Sequence, residues 1–372
     1  MDRVRLSVRE SAGTLPSIRR TTLAYERWLG SQLRVARGDL RVKHAAMRES
    51  VFAFFRGSFF RWAQGWKGWC PELVTAPQVT AAGDLHIANF GTWRDSEGRL
   101  VWGVNDFDEA WPLPYTNDLL RLTTSALVAG REQGIALSDA RVAAAILDGY
   151  TEGLEMSGGP FVLAEHHQWL RDMAMARISD AKAFWQKLEA CPSLAMRGLD
   201  GMGRALRRTF PRGASSLRFV RRRSGLGSLG RQRVTALADY RGGKVSRELK
   251  AIAPSACAWV EGRSGPRRHW QRRLLRNELR CGDPFVRLDR AWLLRRLAPD
   301  CRRIDLAGLP TGRDERRFLT AMGWETANVH LASRCRKAIL QDLALREVDW
   351  LCRAARTAAG EVQRDFDAWR LK

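Results

Sequence analysis

Between Gly83 and Asp118 the chain reads GDLHIANFGTWRDSEGRLVWGVNDFDEAWPLPYTND, with polar residues at intervals that a β-hairpin would bring together. Phe90 to Arg94 and Leu100 to Asn105 read as strands, and Ser96, Glu97 and Gly98 supply turn chemistry. Centring the turn between Glu97 and Gly98 pairs Asn89 with Asp106. Opposed residues of an antiparallel pair lie about 4.5 to 5.5 Å apart at Cα, close enough for two oxygen ligands to share one divalent cation. The spacing therefore predicts a magnesium site at Asn89 and Asp106. Asp84 sits five residues before Asn89, in a loop short enough to return its carboxylate to the same place, where it would accept a proton from an attacking hydroxyl. This is the layout of phosphoryl-transfer enzymes.

Such chemistry also calls for a phosphate-covering glycine loop and a lysine. Residues 1 to 82 offer neither and read as helical, with a Phe- and Trp-rich run from Met47 to Trp66. Both appear downstream. Leu217 to Arg223 reads as a strand, Gly225, Gly227, Ser228 and Gly230 follow as GLGSLG, and Val234 to Tyr240 reads as a second strand. A turn at Arg241 to Gly243 leads to a third strand, Val245 to Ile252, which carries Lys250. Glycine lets backbone N–H groups approach phosphate without a Cβ in the way, and a lysine on a neighbouring strand adds a point charge to the same oxygens. The dinucleotide fingerprint opens a helix; here RQRVTALADY is rich in β-branched residues and lacks a helical stripe.

Gly83, Asp84, His86, Asn89, Asp106 and Phe107 resemble the catalytic loop and metal-binding Asp of the protein-kinase-like superfamily, particularly its aminoglycoside and choline kinase branches. The parts stand in rotated order along the chain. This implies an α+β, two-lobed protein-kinase-like fold in circularly permuted order, with a β-rich nucleotide lobe at 213–300. The helical catalytic lobe would be built from 1–212, which holds the catalytic loop and metal hairpin, and from the C-terminal helices at 301–372. A strand at Ala291 to Leu297 leads to a hinge at Ala298 and Pro299. Asp314 to Ser333 resembles the helix that ordinarily precedes a kinase catalytic loop. RVKHAAMRESVFAFFRGS, GDLHIANFG, NDFDEAWPLPYTNDLLRL, GLGSLG, ELKAIAPSA, LLRRLAPDCRRIDL and MGWETANVH together resemble the bacterial domain of unknown function 2252 family, over nearly the whole chain.

The resemblance implies ATP and magnesium as cofactors, with Asp84 as general base and Asn89 and Asp106 as metal ligands. Gly225, Gly227, Ser228 and Gly230 would form the phosphate flap, and Lys250 the α/β-phosphate contact. His86 either orders the loop or moves a proton. Asp108 either adds a metal contact, sharing a strand face with Asp106, or begins a polar loop. Asp118 reads first as a helix N-cap and second as an anchor for the catalytic loop. Glu261 and Glu278 both offer a carboxylate to Lys250, and Glu278 is chosen. Arg56 faces a substrate anion or covers an aromatic cluster.

Composition bounds the alternatives. Fifteen tryptophans and 45% hydrophobic residues argue for a folded globule. Seven scattered cysteines without a close CxxC pair favour neither a disulfide framework nor zinc, and fit a reducing cytoplasm. No apolar run reaches the roughly 18 residues of a membrane span. A formal charge of +23 raises a nucleic-acid-binding protein as the alternative, using clusters such as Arg221 to Arg223 and Arg272 to Arg276, with nonspecific phosphate affinity; loss of all affinity in moderate salt with no preferred sequence would demote it. Arginine supplies 55 of the 63 basic residues and is spread along the chain, with no base-reading motif. A nucleotide-binding pseudoenzyme or a nucleotidyl transferase is a third reading. The partners implied are a nucleotide and a small-molecule hydroxyl acceptor.

Overall fold

Strands of alternating polarity between residues 215 and 297 build an antiparallel five-stranded sheet. In spatial order they are Ser215–Val220, Arg233–Tyr240, Gly243–Ala251, Trp292–Leu297 and Arg287–Asp289. The computed structural model describes residues 15–178, 180–195, 197, 199, 201–263, 269–289, 292–304 and 312–371. The 240–243 turn has positive φ at both central residues, Arg241 (46°) and Gly242 (78°), the backbone that matches the twist of the strands it joins. Alternate side chains divide the sheet into two unlike faces. Phe219, Val234, Ala236, Leu249 and Leu294 pack on Met202 and Leu206 of the helix Met202–Arg207. The opposite face carries Arg233, Glu248, Lys250 and Arg295. Leu188, on the helix Ala181–Glu189, packs on Val220 and Leu237. The helices Ala181–Glu189 and Met202–Arg207 thus both pack on the sheet.

The larger core is helical and draws on both ends of the chain, from Ile18 to Trp369. The helix Tyr115–Gln133 runs through it, buried over nearly its whole length, polar residues such as Asn117, Asp118 and Arg121 included. Beside it lie the helices Asp139–Glu155, Gly312–Leu331 and Trp350–Arg370. The first two cross closely because Gly149 and Gly323 sit where they meet. A Cβ on Gly149 would lie 1.9 Å from Thr320 O, and one on Gly323 would lie 2.0 Å from Ile146 O. Arg61, on the helix Phe59–Trp69, grips Asp365 of the last helix through two hydrogen bonds of 2.7 and 2.8 Å. No described helix is long and apolar enough to cross a membrane.

Two short sheets join the 83–118 region to this helical base. Gln78–Ala81 pairs with Trp111–Pro114, and the hairpin Phe90–Arg94 with Leu100–Val104 adds Phe161–Val162. The end of the helix Gly312–Leu331 meets the first of these strands, where Ser333 Oγ accepts from Thr80 N at 2.7 Å. The expected strand at 291–297 is seen over Trp292–Leu297, Ala291 lying outside the described residues.

Candidate active site

Gly83 turns the chain sharply out of the strand Gln78–Ala81. Its φ is +79°, and a Cβ there would lie 2.3 Å from Glu109 O. Asp118 holds the backbone just before the loop, accepting from Ala82 N at 2.7 Å and Gly83 N at 3.0 Å. It is fully buried on the helix Tyr115–Gln133 and also meets His330 Nε2 at 3.2 Å. The N-cap position belongs to Pro114, so Asp118 is the loop anchor and the N-cap reading falls. His86 is buried, and its Nδ1 accepts from Ala88 N at 3.2 Å, which shapes the 3-10 turn Ile87–Asn89. Burial, with Arg56, Arg121 and Arg303 nearby, holds His86 well below the usual imidazole range, so it is neutral and ties the loop. Asn89 Nδ2 donates to Asp84 O at 2.6 Å, leaving its own Oδ1 to face the cleft.

Asp84 Oδ1 is held by Arg121 Nη2 at 2.5 Å and Nε at 2.9 Å. The Arg121 guanidinium is fully buried and lies over the Phe55 ring, 4.0 Å from its centroid, with Phe59 and Trp62 at 4.9 Å. Burial pushes the Asp84 carboxyl up to about 7, against the downward pull of Arg121. Sequence reasoning missed Arg121; its signal was a lone charge inside the apolar helical run LLRLTTSALVA.

The hairpin register differs by one residue from the expected one. Phe90 pairs with Val104, and Asn105 N donates to Asn89 O at 3.0 Å, so Asn89 stands opposite Asn105 and Asp106 lies one step beyond. The cause is an odd-numbered loop. Asp95 and Arg99 close a three-residue turn, Gly98 takes φ +75°, and Asp95 Oδ1 accepts from Glu97 N and Arg99 N. The two side chains still line one cleft.

Lys250 reaches this cleft from the sheet. Its Nζ lies 2.6 Å from Asp108 Oδ2 and 3.7 Å from Asp106 Oδ2. Asp108 is buried and also bonded to Arg231 Nη1 at 3.0 Å, and these cations draw its carboxyl down to about 2 despite burial. A turn at 107–110 breaks the extended chain that a shared strand face for Asp106 and Asp108 requires. Asp108 is thus the counter-charge of Lys250. Glu278 is exposed in a turn and outside the cleft, and Glu261 accepts from Trp111 Nε1 at 2.9 Å. Arg231 also bonds Glu109 at 2.8 Å, which fixes the loop end against the acidic side.

The glycine loop folds down on the 83–89 loop. Gly225 has φ +74°, Leu226–Ser228 forms a 3-10 turn, and a Cβ on Gly227 would lie 3.1 Å from Arg56 O and 3.6 Å from Asp84 Oδ2. Lys43 Nζ donates to Gly227 O at 3.2 Å, and burial lowers this lysine to about 8. Gly230 faces the other way, packed on Leu40, with its carbonyl accepting from Ala36 N at 2.8 Å. Arg56 lies over Phe52, 5.5 Å from the ring centroid, as the aromatic-cover reading expects, and also lines the cleft.

Two connected spaces result. A small one of about 50 Å³ lies between Asp84, Asp106 and Gly227, and a larger one of about 610 Å³ lies between the sheet, the hairpin and the helix Ala181–Glu189. Asn89, Asp106, Gly225 and Ser228 border both. Among the described residues, no group of three or more His, Cys, Asp and Glu forms a metal cluster, so a cation here would rest on Asn89 Oδ1, Asp106 and ligand oxygens.

A family described as "Uncharacterized protein conserved in bacteria (DUF2252)" matches this chain. The match spans residues 36–187. No curated protein and no solved structure matches. The matched segment contains Lys43, Arg56, the 83–89 loop, the hairpin, Asp118 and Arg121, and ends before the glycine loop and Lys250.

Proposed function

We propose that the protein is an ATP- and magnesium-dependent phosphotransferase acting on a small-molecule hydroxyl, with a two-lobed kinase-like fold in permuted order. The observation that carries this reading is the convergence of the glycine loop and the acidic groups on one cleft, although they lie far apart in sequence. The permuted order is supported by the contact of Ser333 with Thr80, which seats the end of one helix beside the strand entering the catalytic loop.

In this reading the nucleotide occupies the larger space, with its phosphates turned toward Ser228, Lys250 and Asp106. Asn89 Oδ1 and Asp106 are suited to magnesium: the Asn89 amide nitrogen is already spent on Asp84 O, and the Asp106 side chain is 38% exposed. When bound, magnesium neutralises phosphate charge. Asp84 Oδ2 takes the proton of the acceptor hydroxyl as its oxygen bonds to the γ-phosphorus and the bond from that phosphorus to the β–γ bridging oxygen breaks, releasing ADP. Arg121 fixes Asp84 while burial keeps it basic enough to act. Gly227 covers Asp84 closely, so the flap lifts to admit substrate.

Purified protein with ATP and magnesium should yield ADP and a phosphorylated acceptor from a metabolite extract. Asp106→Ala should abolish magnesium-dependent ATP binding, whereas Asp84→Ala should bind ATP and not turn over. Equal activity in both variants would remove these roles, and release of pyrophosphate with an AMP-bearing acceptor would replace phosphoryl by nucleotidyl transfer.

A further inference from the structure

The cavity face of the sheet carries a charge arrangement that the proposed transfer leaves unused. Arg233 stands opposite Lys250, Arg295 stands opposite Glu248, and alternation puts all four on one face. Glu248 is fully buried, yet three guanidiniums converge on it. Arg222 Nη1 lies 3.0 Å from Oε2, Arg295 Nη2 and Nε lie 2.8 and 3.0 Å from Oε1, and Arg233 Nη1 also donates to Oε1. Thr235 Oγ1 adds a bond of 3.2 Å to Oε2. One carboxylate offsets one of three positive charges, so two remain on the wall of the 610 Å³ cavity.

Fixing one buried glutamate does not require three arginines, and like charges this close repel. That repulsion, with burial, lowers Arg233 from its ordinary value. Arg222 and Arg295 keep 28% and 26% side-chain exposure, with N–H groups not spent on Glu248. Among the described residues, ten basic and only three acidic side chains line this cavity. The Arg231 node shows the reverse ratio, one guanidinium between Asp108 and Glu109. The cleft is thus acidic beneath the glycine loop and basic on the sheet, and Lys250, between the two, is already paired with Asp108.

We infer that Arg222, Arg233 and Arg295, oriented by Glu248, form a phosphate-binding subsite in the larger cavity, distinct from the Lys250 position. Planar guanidinium forks match phosphoryl oxygens and bind them through paired N–H groups. The phosphoryl group belongs either to the phosphate chain of the nucleotide or to a phosphorylated acceptor. Assigning it to a substrate of the transfer rests on the proposed function, whereas the subsite rests on the arginine geometry.

The test is calorimetric titration of inorganic phosphate and tripolyphosphate, in EDTA, into wild type and the Arg222→Met/Arg295→Met double variant. Wild type should bind both, and the double variant should lose at least tenfold in affinity with unchanged circular dichroism. Arg222→Lys/Arg295→Lys should recover part of the loss. Should the double variant unfold, Arg222→Met alone should lose at least threefold. Binding within twofold of wild type in a folded variant, or no binding of either anion to wild type, overturns the subsite. Repeating the phosphate titration with magnesium and a non-hydrolysable ATP analogue separates the sources: displacement assigns the subsite to the nucleotide, and joint binding assigns it to a phosphorylated acceptor. Phosphate binding at the arginines with no nucleotide binding to wild type would sink the transfer reaction and leave the subsite standing.

Discussion

At the scale of single residues, the site depends on how Asp84 is held and where its proton equilibrium lies. Because burial raises its carboxyl to about 7, the protonated form dominates below that pH and the proton-accepting form above it. Turnover at saturating nucleotide should therefore rise with pH through an inflection near 7, and a profile flat from pH 5 to 9 would exclude Asp84 as the base. The sign for stability is opposite. A carboxyl whose folded-state pKa exceeds its unfolded value favours the fold fully below about 4. That contribution is lost as pH climbs toward 7. Asp118 acts on the same loop through its backbone. Asp118→Ala would leave the buried N–H groups of Ala82 and Gly83 unpaired, which should cost roughly 3 to 5 kcal/mol in urea denaturation. A loss below about 1 kcal/mol would mean the loop is held by other contacts.

Asp84, Asn89, Asp106 and Lys250 were legible because motif spacing preserves local geometry. Arg121, Lys43 and Arg231 were not, because their partners are set by the fold: Lys43 meets Gly227 at a separation of 184 residues, and no local period records that. Neither Glu261 nor Glu278 is the counter-charge of Lys250. A turn at 107–110 supplies Asp108 instead, and reading the strand as extended hid it.

At the scale of elements, strand order and the glycine turn follow from alternation and turn chemistry, whereas register depends on one residue of loop length. The string DSEGR fits either an even or an odd loop; Asp95, by bonding the backbone at Glu97 and Arg99, selects the odd one and moves Asn89 opposite Asn105. Helix pairing is likewise set by small residues whose partners the sequence does not name. Gly149 and Gly323 let the helices Asp139–Glu155 and Gly312–Leu331 touch backbone to backbone. Gly149→Ala must push the helices apart, since its Cβ would meet Thr320 O. The expected loss is about 3 kcal/mol, the upper part of the overpacking range. A neutral result in thermal or urea unfolding would contradict this close crossing.

At the scale of the whole molecule, the surplus of arginine has a structural use apart from any nucleic acid. Arg61, Arg121 and Arg231 are buried and join distant segments, each paired with a carboxylate, so part of the arginine content serves internal ion pairs. The helical core closes only when both ends of the chain meet, and the sheet lobe rests on helices upstream of its first strand. In the proposed function the nucleotide is enclosed between the sheet and the helical core by segments of both. Hydrogen exchange with and without magnesium-ATP tests this most directly. The account predicts slower exchange on nucleotide addition in both 225–231 and 83–90; protection of only one segment, or of neither, would contradict a nucleotide site enclosed by the two.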